Sequence, residues 1–165
     1  MKSRFLLSLS FLALARVVFA ADPIPAASVK WMGHFGSSEA APQTSFCLMA
    51  RGFFQTATSP EMPALIAAWF KDHPKATVIQ VATFRPVTDK NPDSKMAYVW
   101  VVDGEHNLNL ELVQQGCFAP QTQTIAKNQK LEATTADYEA FVQKAFAAGD
   151  AAKEKKLGVW KTATE

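Results

Sequence analysis

Polar and apolar positions along this chain repeat first with a period of two and later with a period near 3.6. Val29, Trp31, Gly33 and Phe35 share one side of an alternating stretch, which predicts a strand over 29–35. Gly36 to Pro42 is rich in small and turn-forming residues and predicts a loop. Thr44 to Met49 predicts a second strand and Phe53 to Ala57 a third, with Gly52 marking a bend or bulge. Met62, Leu65, Ile66, Trp69 and Phe70 then fall on one helical stripe. Either Ser59 caps that helix, with Pro60 at its first position, or Thr58 does, in capping-box spacing with Glu61. His73-Pro74 ends it.

The pattern returns to strands at Thr77–Phe84 and Met96–Val102, joined by a long loop over 85–95. Asn107 or Asn109 caps a short helix through Gln115, and Gly116 supplies the residue after it, where left-handed backbone is common. After a polar loop at 120–130, Thr134 or Thr135 caps a long helix. Its apolar face is Tyr138, Phe141, Val142, Ala145, Ala148 and Ala152. The order β-β-β-α-β-β-α-α places the chain in the α+β class. It suits a five-stranded OB-fold β-barrel with an inserted helix and two C-terminal helices.

The first 20 residues read as a targeting segment rather than as part of the fold. Lys2 and Arg4 precede an apolar run from Phe5 to Ala15, and Val18-Phe19-Ala20 has the small residues of a cleavage site. We therefore expect a signal peptide over 1–20, an extended lead-in over 21–27 and one domain over 28–161. Export to the periplasm or the extracellular space follows, and no later segment is apolar for long enough to span a membrane. Cleavage removes Lys2, Arg4 and Arg16 from the 17 basic residues. That leaves 14 against 15 acidic ones, a net charge of −1 over 145 residues. Such a balance argues against a dedicated polyanion binder, whose affinity rests on neutralised phosphates. In an oxidising compartment the two cysteines, Cys47 and Cys117, are candidates for a disulfide. That bridge would contribute about 4 kcal/mol in the chain-entropy account.

Three segments carry a family resemblance: Asp89-Lys90 with Met96-Ala97-Tyr98-Val99-Trp100, then Leu108-Asn109-x-x-Leu112-Val113-x-x-Gly116, then Lys155-Lys156-Leu157-Gly158-Val159-Trp160-Lys161. Together they resemble the C-terminal half of the thermonuclease (staphylococcal-nuclease-like) family. The resemblance implies an OB-type barrel and a Ca²⁺-dependent phosphodiesterase site. In the family that site is built from an Arg-bearing strand, an Asp-Thr-Pro-Glu turn and a Tyr-Gly-Arg motif. A phosphodiester under attack gains negative charge, which guanidinium forks and a hard cation stabilise.

Most of those residues are replaced here. Asn91-Pro92-Asp93-Ser94-Lys95 stands where Tyr-Gly-Arg belongs, and Lys95 brings a charge without a bidentate fork. Upstream, two alignments are open. One sets Cys47 at the first Arg position, Gly52 at an Asp position and Gln55 at the Glu position. The other keeps Pro60-Glu61 of the turn, with Phe53 at the Arg position, Thr58 at the Asp position and Glu39 at a metal-ligand position. Under the second, the site of an active enzyme is Glu61 and Lys95 with Glu39 holding Ca²⁺. For Glu61, capping of a helix N-terminus is the competing role.

His34, His73 and His106 show no metal-ligand spacing. Trp31, Trp69, Trp100 and Trp160 are either core residues or platforms for stacking single-stranded bases. The expectation is therefore a thermonuclease-like domain without catalysis, acting as a binding or structural module toward a protein partner or, weakly, a nucleic acid. The alternative is a metal-dependent nuclease altered around Glu61.

Overall fold

A computed structural model describes residues 23–50, 57–85, 91–120, 129–131 and 133–162. The chain is α+β, and the described residues form a curled sheet shaped as a half-barrel and three α-helices. The strands are β1 (Ile24–Pro25), β2 (Val29–Met32), β3 (Phe35–Ser38), β4 (Thr44–Leu48), β5 (Thr77–Phe84), β6 (Lys95–Asp103), β7 (His106–Asn107) and β8 (Gln129–Leu131). The helices are α1 (Met62–Asp72), α2 (Leu108–Gln114) and α3 (Thr135–Glu154). Along the sheet the order is β1-β5-β6-β4-β3-β2, with β7 added to β6 and β8 to β5.

The expected first strand is in fact a hairpin. Gly33, at φ +62°, reverses the chain between β2 and β3, so Gly36-Ser37-Ser38 is strand rather than loop. Gly36 lies against Val29 and Trp31, where a Cβ would meet the indole ring at 2.9 Å. Among the described residues four strands thus precede α1, the short β1 and then β2, β3 and β4 over 29–32, 35–38 and 44–48. Of the strand expected at 53–57, residues 53–56 lie outside the described residues, as do the 1–20 segment and positions 86–90 of the long loop. The lead-in is also structured. Ile24 and Pro25 pair with β5, and a short 3-10 turn follows at 26–28. The polar loop contributes β8.

Strands β5 and β6 form the centre. Five consecutive residues of β6, Ala97 to Val101, are buried, so both faces of the strand are covered. One side packs on the half-barrel interior. On the other, Phe141 of α3 lies 5.0 Å from the Trp100 ring. A register shift between Gln80 and Ala82 leaves Val81 as the extra residue of a β-bulge, which sharpens the curl. Strand β4 pairs with β6 in parallel, an arrangement that requires the long connection through α1 and β5.

Candidate functional site

The start of α1 holds the residue with the strongest expected role. The helix begins at Met62 with Glu61 as its N-cap, and Pro63 rather than Pro60 sits in the first turn. Neither proposed side-chain cap is used. Instead Ser59, itself buried, accepts the Glu61 N–H through its Oγ at 3.2 Å. The Ser59 hydroxyl donates to Glu61 Oε2. Lys161 Nζ donates to Glu61 Oε1 at 3.1 Å. These donors favour the charged carboxylate and hold Glu61 down at about 2, with Ser59 the largest cause. The Ser59 N–H in turn donates to the Cys117 carbonyl at 2.8 Å. Glu61 therefore clasps the start of α1 to the C-terminal segment.

The other two candidates do not join it. Glu39 pairs with Lys30 at 3.0 Å in an exposed ion pair at the far end of the β2–β3 hairpin. Lys95 opens β6 opposite Thr44, and its N–H donates to the Gln43 carbonyl at 2.8 Å. Among the described residues, no hydrogen bond or ion pair links any two of Glu39, Glu61 and Lys95. The segment before Lys95 is an Asx turn: Asn91 Oδ1 accepts the Asp93 N–H at 3.0 Å, and Asn91 Nδ2 donates to Gln43 Oε1 at 2.8 Å.

The expected disulfide is corrected. Cys47 and Cys117 are both fully buried thiols with no bridge between them. Cys47 faces Phe35 and Tyr98 across its neighbouring strands, and Cys117 follows the end of α2. Each fills core space as a small apolar side chain. Burial, with the Glu61 carboxylate second, pushes the Cys117 thiol up to about 11. The tryptophans divide between core and partly exposed positions. Trp69 and Trp100 are buried, and Trp31 and Trp160 are half-buried.

A second constellation arises where the periodicity showed none. A cleft of about 600 Å³ lies between α1 and α2 and is walled by Leu65, Trp69, Leu108 and Leu112. At its rim stand Asp72, Glu105, His106 and Glu111. His73 caps the C-terminus of α1, where Pro74 stops the helix. Gly104, at φ +59°, turns the chain from β6 into β7 and sets His106 opposite Asp103. Asn107 caps α2 by accepting the Leu110 N–H at 3.1 Å, which places Glu111 in the first helical turn.

The contacts are close. The His73 and His106 rings are 4.6 Å apart, and His73 stacks on Trp69 at 4.1 Å. His73 Nδ1 lies 3.3 Å from Asp103 Oδ2, and His106 Nδ1 lies 3.5 Å from Glu111 Oε1. Trp69 Nε1 donates to Glu111 Oε2 at 3.0 Å. His73, His106 and Glu111 each present a ligand atom within 4.8 Å of the others. The 33 residues from His73 to His106 hide this meeting from any spacing rule. The His106–Glu111 proximity alone had a local signal, an acidic residue just inside the cap.

No family model matches the chain, and comparison with characterised proteins finds no match either. None of the helices among the described residues is long and apolar enough to cross a membrane.

Proposed function

We propose that this chain is an exported, thermonuclease-like OB module that has lost phosphodiester chemistry and works by binding. The sheet supports the barrel reading. Its two ends, β1 and β2, are consecutive in the chain and separated only by the turn at 26–28, so together they act as the single first strand that closes an OB barrel. The observation that carries the loss of chemistry is the clasp at Glu61. Both of its oxygens are engaged, by Ser59 and by Lys161, and Glu39 and Lys95 lie in other contacts. A general base needs a free, positioned oxygen and a nearby cation to stabilise the phosphorane-like charge. Binding falls to the α1–α2 cleft, whose apolar walls and acidic rim of Asp72, Glu105 and Glu111 suit a protein or cationic partner and repel phosphates.

The test is cleavage of a fluorogenic single-stranded DNA by the mature chain, with Ca²⁺ and with chelator. We expect no cleavage above background in either. Chelator-sensitive cleavage abolished by Glu61→Ala would overturn the reading in favour of an altered nuclease. A stability profile gives the structural arm. Glu61 has a depressed folded-state pKa, so its contribution is present above its ordinary value of 4.5 and is lost as pH falls through about 2. Glu61→Gln should therefore lower Tm at neutral pH, with the difference from wild type closing near pH 2.

A further inference from the structure

We infer that His73, His106 and Glu111 form a site for a first-row transition-metal dication, with Zn²⁺ as the representative ion. The three donors come from three elements: the C-cap of α1, strand β7 and the first turn of α2. They already lie within 4.8 Å of one another. Bonds of about 2.0–2.1 Å to a tetrahedral ion bring such donors to roughly 3.3 Å apart. Side-chain rotation closes that gap. The His106 side chain is 62% exposed and swings at little cost, whereas His73 is held at 16%.

Two of the donors already have the outer partners that orient metal ligands. Asp103 faces His73 Nδ1, which leaves Nε2 as the nitrogen His73 offers and fixes the ring's orientation. The Trp69 indole holds Glu111 Oε2, which leaves Oε1 for the ion. A pair of ordinary histidine ion pairs explains the His73–Asp103 and His106–Glu111 contacts separately. It does not explain why both imidazoles and the carboxylate converge, or why Trp69 braces two of the three.

The donor chemistry selects the ion class. Two imidazoles and one carboxylate suit Zn²⁺, Cu²⁺ or Ni²⁺, whereas Ca²⁺ takes six to eight oxygens. Three protein donors leave a fourth position, which opens on the α1–α2 cleft. The site is distinct from the clasp at Glu61, because the length of α1, about 16 Å, lies between Glu61 and His73.

The experiment is calorimetric titration of the untagged mature chain with Zn²⁺, without nucleic acid, so its outcome is independent of the cleavage assay. We expect one ion per chain at micromolar affinity or tighter. Asp103→Asn should weaken it about tenfold and His106→Ala by more. His34→Ala should leave it unchanged, and Ca²⁺ should give no heat. Because His106 is exposed, His106→Ala should keep the wild-type Tm without metal, which separates a lost ligand from a lost fold. Absence of Zn²⁺ binding, or unchanged affinity in both His106→Ala and Glu111→Gln, overturns the site. Equal binding of Ca²⁺ at the same residues overturns the assigned ion class.

Discussion

Asn109 shows how one side chain holds three backbone groups in place. The sequence offers Asn107 and Asn109 equally as caps of α2. The structure uses Asn107 and buries Asn109 completely. Its Oδ1 accepts the Val101 N–H at 3.0 Å, and its Nδ2 donates to the Met49 and Val99 carbonyls at 3.0 and 2.8 Å. Asn109 thereby ties α2 to β6 and to the end of β4. A buried amide with every polar atom satisfied contributes modestly, but deleting it strands backbone groups away from water. Asn109→Ala should cost about 3 kcal/mol, against about 1 kcal/mol for the cap removal Asn107→Ala. The midpoints of urea unfolding check both. The same residue scale decides the metal cluster: His73 and His106 look like a helix end and a turn when read singly, and become a pair only through the Gly104 reversal.

At the scale of elements, the helices follow the apolar pattern closely and the contacts between them do not. The expected face of α3 is the observed one, with Phe141, Ala145, Ala148 and Ala152 buried and Tyr138 and Val142 packed at its edge. Thr134 caps it by accepting the Asp137 N–H at 3.1 Å. Gly149 lets the chain pass close to that face: Pro120 lies where a Cβ would be. The return of the chain after α3 is similar. Gly116 and Gly158 both take left-handed backbone, at φ +67° and +51°, and their peptide units touch. A Cβ on either would strike the other segment's carbonyl, and the Val159 N–H donates to the Gly116 carbonyl at 2.9 Å. Gly158→Ala should therefore cost more than about 2 kcal/mol. Gly104→Ala, at a comparable φ of +59° but with open space around it, should cost about 1 kcal/mol. Thermal melts of the two variants, compared directly, separate collision from backbone strain.

At the scale of the molecule, packing decides the state of the cysteines. The expectation of export with two cysteines invites a bridge, but Cys47 lies within β4 and Cys117 beyond α2, each enclosed by core. A thiol raised to about 11 at Cys117 also holds little thiolate at neutral pH, which slows oxidation. Two thiols per chain should react with a disulfide reagent after unfolding in the absence of reductant, and almost none before it. An unchanged Tm on adding dithiothreitol is the companion result.

Much of this architecture is legible in the linear pattern. Strand β5 matches its expected bounds, β6 extends by a residue at each end, α2 has one of its two expected caps and ends a residue early, and α1 and α3 carry the predicted apolar faces. Local periodicity reports which side of an element is buried, because the cost of exposing apolar surface acts residue by residue. The residue types at 91–95, with Lys95 as their only base, are likewise plain in the sequence alone. Other features depend on long-range pairing and chain reversal: the β2–β3 turn at Gly33, the parallel join of β4 to β6, the enclosure of both thiols, the clasp from Glu61 to Lys161 and the meeting of His73, His106 and Glu111. In each case the partners are distant in sequence or separated by a turn, and no one-dimensional period encodes the distance between them. Packing sets that distance, by bringing the end of one helix against the turn that begins another.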